Sequence, residues 1–284
     1  MASIFATMPY SPVWIIASKE IKDGLRNRWV SFITLIFMAL SLSVTFAGSA
    51  VSGALVLPEL PVLISSLSTI AVFIIPLTAI LISYDSFVGE EESGTLLLLL
   101  SYPLTRKQII AGKLLGHSIM MAFTSLLGFG ITALLLLILG KDYPVGITVC
   151  VFSQFILSSI LLAMTFILIG YVVSLRSTEK ARAIGLLLFV WFLFVLIYDL
   201  VLLALLVADL SFMTPELINV LIAFNPTDIY RAINLVAVGA EDLQGTLSLI
   251  AQSGLGLSVL YGLLIVWIIG LSILALSVFK CKKL

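Results

Sequence analysis

The sequence predicts an all-α, polytopic membrane protein, and three observations carry that expectation. Of its 284 residues, 61% are hydrophobic and 11% charged, against about 25% charged in a typical soluble domain. Six stretches, approximately 29–53, 62–84, 114–139, 147–173, 185–208 and 256–279, hold the roughly 20 apolar residues that a bilayer-crossing helix requires. The basic residues, finally, gather at alternate links between those stretches. Residues 1–284 therefore read as a single membrane domain.

The elements follow in chain order. The first 18 residues carry no basic side chain and include Pro9 and Pro12, so a cleavable secretion signal is not expected there. Ser11-Pro12 offers a helix cap and a first-turn proline. Val13, Ile16, Ala17, Ile21 and Leu25 then recur at helical spacing opposite Ser18, Lys19, Lys22 and Arg26. That pattern predicts an interfacial helix over 11–28. Pro76 inside span two frees a backbone carbonyl and should kink the helix. The segment 85–113 between spans two and three carries Glu90-Glu91-Glu92, a leucine run at Leu96–Leu100 and a break at Pro103, and is expected to be an insert of short helical pieces. Between spans five and six, 209–255 holds Thr214-Pro215 and Asn225-Pro226. Each pair is a capping residue before a first-turn proline, predicting two short helices, the second closing near Gly239.

Charge sets the topology. Lys19, Lys22, Arg26 and Arg28 precede span one; Arg106, Lys107 and Lys113 follow span two; Arg176, Lys180 and Arg182 follow span four; Lys280, Lys282 and Lys283 follow span six. Lys141 and Arg231 alone fall at the other end. The positive-inside rule then puts both termini and the 85–113 insert in the cytoplasm, and the 209–255 helices outside as a cap on spans five and six. The formal net charge of zero gives no basic field to collect nucleic acid.

Several chemistries are excluded by residue type. Cys150 and Cys281 lack the paired spacing of a zinc or iron–sulfur site, and the sole histidine, His117, is given a structural role. The seven methionines are scattered, so no copper-handling ladder is evident. No metal or cofactor site and no catalytic residue is expected. A P-loop needs Gly-Lys followed by Ser or Thr, whereas Gly112-Lys113 runs into Leu114 and Gly140-Lys141 into Asp142. Asp199 stands beside Tyr198 inside span five, where an ionised carboxylate is costly unless paired or wetted. It reads equally as a pathway or gate residue and as a hydrogen bond fixing helix packing.

Gly89-Glu90-Glu91-Glu92-Ser93-Gly94-Thr95-Leu96, followed by Tyr102-Pro103-Leu104-Thr105-Arg106 and Gly112-Lys113, resembles the cytoplasmic coupling region of type-2 ABC exporter permeases. Topology extends the resemblance along the chain. It implies a non-catalytic permease of the bacterial inner membrane, a second copy of the chain, and a separate ABC ATPase that holds the ATP and magnesium. Docking onto that ATPase would fall to Glu90, Glu91, Glu92, Gly94, Thr95, Leu96, Pro103 and Arg106. Lys19–Trp29, Tyr84–Glu90 and Gly94–Leu104 narrow the resemblance to permeases of ABC assemblies that mature nitrous-oxide reductase. That implies a periplasmic β-helical partner, with Glu216, Asn225, Asp228 and Arg231 of the outer cap as its expected contacts. Three functions stay open at this point: outward passage of a small species, such as a sulfur species for the reductase's copper–sulfide centre; mechanical transmission to the periplasmic partner; and export of drugs or lipid-linked glycans.

Overall fold

The computed structural model describes residues 11–26, 28–55, 57–140, 143–208, 214–239 and 254–282. Lys141, Lys283 and, within the 209–255 segment, residues 209–213 and 240–253 lie outside the described residues. The described residues fold as helices: α1 (Pro12–Arg26), α2 (Arg28–Ser52), α3 (Leu60–Ser83), α4 (Val88–Glu92), α5 (Thr95–Ser101), α6 (Arg106–Leu139), α7 (Val145–Arg176), α8 (Lys180–Phe192), α9 (Tyr198–Val207), α10 (Pro215–Phe224), α11 (Pro226–Val238) and α12 (Leu257–Cys281). A π-helical turn, Leu193–Ile197, joins α8 to α9 into one span. Among the described residues, six helices are long and apolar enough to cross a membrane.

The middle of the bundle is α6 and α7. Helix α7 packs on α3, α6 and α12, and α6 also carries α1 and α2. Phe155, Leu162, Phe166 and Tyr171 of α7 are fully buried, so this helix is the one most enclosed by protein. Helix α6 has 34 residues, or about 51 Å at 1.5 Å each, and outruns a hydrocarbon core of about 30 Å. Its first turns therefore stand clear of the apolar layer. The sequence reading assigned 106–113 to the insert, but Thr105 and Gln108 form a reciprocal capping box and the helix is continuous from Arg106.

Along those first turns α6 carries α1. A Cβ on Gly112 would stand 2.7 Å from Ile16 Cβ and 2.9 Å from the Val13 carbonyl oxygen, and one on Gly116 would stand 2.9 Å from the Ala17 carbonyl oxygen. The two glycines, one helical turn apart, are what allow the backbones to approach so closely. Ile16, Ala17 and Glu20 are buried against α6, while Trp14, Ile15 and Leu25 remain exposed. Helix α1 is thus amphipathic, with one face fixed on protein.

The α10–α11 pair departs most from expectation. It is a re-entrant hairpin inserted among the spans rather than a cap resting above them: α11 packs on α3, α7 and α12, and every residue from Pro226 to Leu235 is buried. Asn225, at the apex, donates from Nδ2 to the Phe194 carbonyl at 3.0 Å, and Trp267 Nε1 donates to the Ala223 carbonyl at 3.0 Å. Phe194 lies about 21 Å along span five from Lys180, and Trp267 about 15 Å along α12 from Leu257, which sets the apex near mid-depth. The widened π turn releases a carbonyl that a regular α-helix would consume, and Asn225 takes it.

Candidate functional site

Two polar constellations stand out, one at the basic end of the bundle and one around the apex of the hairpin in its other half. At the basic end, Ser174 Oγ of α7 accepts from the Phe87 and Val88 backbone N–H groups at 3.1 and 3.0 Å, satisfying donors at the start of α4. Phe87 is fully buried, edge-on to Tyr171 and tilted against Phe279, with ring centroids 5.3 Å away in each case. This aromatic plug fixes the position of the acidic triplet that follows.

Each acid of that triplet is engaged by its own chain. Glu90 Oε1 accepts from Lys113 Nζ at 2.8 Å and Lys19 Nζ at 3.1 Å. Glu91 pairs with Lys282, which also donates to the Leu175 carbonyl at 2.9 Å. Glu92 accepts from the Lys180 backbone N–H at 2.8 Å. Short helix α4 is therefore tied at once to α1, α6, α7, α8 and the end of α12. The same contacts bring Lys19 of α1 and Lys282, just past α12, to one end of the bundle.

Lys113 is the centre of this knot. Its side chain is 1% exposed and its ammonium reaches Glu20 as well as Glu90 at 2.8 Å, with the Phe87 ring centroid 5.5 Å away. His117, one turn further along α6, lies 3.5 Å from Glu20 and shares a 2.7 Å hydrogen bond with the Tyr171 hydroxyl. Burial pushes the Glu20 carboxyl up, but the His117 hydrogen bond and the Lys113 charge outweigh it and hold the group well below the usual carboxylate range. Glu20 thus stays ionised, and α1 is held to α6 by charge as well as by packing.

Beyond the acids the chain turns at Gly94, whose φ of 72° suits glycine and costs an L-residue about 1–2 kcal/mol. Helix α5 then buries Leu96 and exposes Leu97 (60%) and Leu98 (63%), and Tyr102 after it is exposed too (58%). Of the residues expected to dock, Glu92, Gly94, Thr95 and Pro103 lie on the exposed side. Leu96 faces the core, and Arg106 is turned to the Phe279 carbonyl and its ring. Glu90 and Glu91 are turned to lysines within the fold, which leaves Glu92 as the one acid of the triplet on the exposed side. The outward ridge is Leu97 and Leu98.

In the other half of the bundle, around the hairpin apex, Arg231 of α11 reaches Asp199 of α9 at 2.9 Å and Asp228 at 3.4 Å, and Asn225 Nδ2 donates to Asp228 at 2.8 Å. Tyr198 donates its hydroxyl to the Leu221 carbonyl at 2.7 Å. Arg231 and Asp228 side chains are 3% and 1% exposed, Asp199 28%. Asn225, Asp228 and Arg231 were expected to meet a partner outside. Buried in an ion cluster that clamps the hairpin to span five, they cannot form an outer surface in this conformation; of that set only Glu216 is exposed.

Sequence reasoning gave Glu20, Tyr171 and Lys282 no site role, and Lys113 only its place in the Gly112-Lys113 motif. Lys113 and His117 do share one face of α6 at a four-residue spacing, which was a readable sign of a polar face. Their partners come from distant parts of the chain.

Residues 14–284 match the ABC-2 family transporter protein family. A probable ABC transporter permease protein NosY from Stutzerimonas stutzeri is 46% identical over 269 residues, covering 94% of this chain and 98% of that protein. One of the same description from Pseudomonas aeruginosa is 43% identical over 255 residues, covering 90% and 93%.

Proposed function

From the premise that the chain belongs to the ABC-2 transporter family, we propose that it is the membrane subunit of an ABC assembly that matures the copper–sulfide centre of nitrous-oxide reductase. The relatives described as NosY support that reading, as does the resemblance of the coupling region. A separate ATPase subunit docks on the exposed Leu97 and Leu98 of α5 and Tyr102 just after it, in the cytoplasm, and two copies of the chain pair so that two ATPases close together. The observation that carries the mechanism is the ion-paired seat of α4. A push on α5 cannot be absorbed locally, because the neighbouring α4 is fastened to α1, α6, α7, α8 and α12.

The output is motion at the periplasmic end. The re-entrant hairpin is held to span five through Phe194, Tyr198 and Asp199 and to α12 through Trp267. When those spans shift relative to one another, the hairpin must follow, and the outer end of α10 at Thr214 and Glu216 moves with it. A periplasmic β-helical partner resting there senses the ATPase cycle. Copper is handled by that partner and not by this chain, whose one histidine is buried in the basic-end knot.

The test is deletion of this gene in a strain respiring nitrous oxide. The reductase should be made and exported with its electron-transfer copper site filled and its copper–sulfide cluster missing, as read by metal content and visible spectroscopy. A fully loaded cluster would overturn the assignment in favour of drug or glycan export.

A further inference from the structure

A cleft of about 640 Å³ opens at the basic end between α1, α4 and the ends of four spans, within the size range of ligand sites. Its two walls differ in character. Val30 and Ile33 of α2, Leu81 of α3, Met120 of α6 and Ile184 of α8 make one wall apolar, at the point where these helices enter the hydrocarbon. Helices α1 and α4 make the other wall charged. A cleft built this way across the membrane boundary accepts a molecule with a charged head and an apolar tail.

The groups left over after internal pairing specify the head. Lys113 and Lys19 are committed to Glu20, Glu90 and Asp23. Among the described residues, Asp85 has no cationic partner, although it lines the cleft. Glu90 Oε2 and Ser86 Oγ are buried without a donor, Ser86 being only 7% exposed. Such orphaned acceptors are rare in a finished fold. One donor is also left over: among the described residues the Lys180 ammonium forms no ion pair, although its side chain lies across Gly89 beside the Cβ of Asp85. A Cβ on Gly89 would be 2.9 Å from Lys180 Cε and 3.2 Å from Asp85 Cβ. The cleft therefore lacks a small cation able to donate several hydrogen bonds beside one anionic group. With four carboxylates against three lysines along its walls, a net anion is disfavoured.

We infer that this cleft binds the headgroup of phosphatidylethanolamine from the adjoining leaflet. Its primary ammonium donates to Asp85, Glu90 and Ser86, its phosphate accepts from Lys180, and its acyl chains follow the Val30–Ile33 wall into the bilayer. The site extends the permease reading without depending on it, since it would exist whatever the assembly matures.

The experiment uses the full-length chain in detergent micelles supplied with equal amounts of phosphatidylethanolamine, phosphatidylcholine and phosphatidylglycerol of the same acyl chains, with retained lipid counted by native mass spectrometry. Phosphatidylethanolamine should be retained over the other two, because a trimethylated head cannot donate N–H bonds and phosphatidylglycerol carries no cation. Asp85→Asn and Lys180→Gln should each lower that retention about tenfold, the scale of one charge-assisted hydrogen bond, with the unfolding temperature held. Ser86→Ala, the change gentlest on packing, should lower it less. Equal retention of phosphatidylcholine, preference for phosphatidylglycerol, or retention unchanged in all three variants would each overturn the proposal, the last marking ordinary annular lipid.

Discussion

Replacing Lys113 by methionine tests whether α4 is seated by charge. Methionine keeps most of the apolar stem that packs in the knot and removes only the ammonium that joins Glu20 to Glu90, 2.8 Å from each. Two carboxylates, 11% and 15% exposed, are then left facing one another across a site that held a cation. Removing one partner of a buried ion pair costs about 3–5 kcal/mol. Lys19 remains 3.3 and 3.1 Å from the same two acids, but its side chain is 55% exposed and a pair of that kind contributes at most about 1 kcal/mol. A net loss of about 3 kcal/mol follows, or roughly 5–10 °C in unfolding temperature for a chain of this order of size. The assay is thermal unfolding of the purified protein, run beside Lys113→Met combined with Glu90→Gln. Neutralising the acid relieves the stranded charge, so the double variant should be more stable than the single by about 1 kcal/mol or more. Simple additivity of the two losses, or an unshifted single variant, would show that charge does not seat α4.

Other outcomes follow from the same geometry. Because Glu20 is held below the ordinary glutamate value of 4.5, its share of stability is present above that pH and is lost as pH falls below it; Glu20→Gln should flatten the thermal-stability profile in that window, and an unchanged profile would count against the assignment. Leu97→Asp with Leu98→Asp should abolish co-purification of the ATPase while changing stability by less than about 0.5 kcal/mol, since both side chains are exposed; retained association would move the docking surface elsewhere. Arg231→Met should cost about 3–5 kcal/mol, leaving buried Asp228 without its cation, whereas Asp199→Asn keeps an acceptor for Arg231 and should cost about 1 kcal/mol. If thermal unfolding finds the two equal, the cluster does not hold the hairpin.

The spans were legible because an apolar run needs no partner to be recognised, and the start of α6 was readable in Thr105 and Gln108, where a capping box is a local device. Thr214 and Asn225 cap their helices for the same local reason, each accepting from a backbone N–H within the next three residues. What lay beyond reach was tertiary. Lys113 meets Glu20 across 93 positions, and no spacing rule connects them. The re-entrant dip was hidden too: the ten residues of α10 are too few to span a bilayer, and Asn-Pro reads as an external turn. One sign was available. Asp199 was an acid within a span with no cation near it in sequence, and Arg231 was one of only two basic residues assigned outside. Pairing them would have drawn the hairpin into the membrane.

The division of labour along α4 and α5 follows from where charge and apolar surface are most useful. An acid facing a soluble partner would make docking sensitive to salt, with screening over about 8 Å at physiological ionic strength. Turned inward, Glu90 and Glu91 sit in partly buried pairs that salt reaches poorly, and they fix the register of α4 against α1, α6 and α12. The outward face is left to Leu97 and Leu98, whose contact is non-directional and can persist while the partner rotates. A joint that transmits force needs a firm seat on one side and a tolerant contact on the other. Gly94 lies between the two, and its left-handed turn lets a five-residue helix held by ions run directly into a seven-residue helix held by apolar burial. Glu90 and Glu91 therefore belong to the lever, and the leucines to its grip.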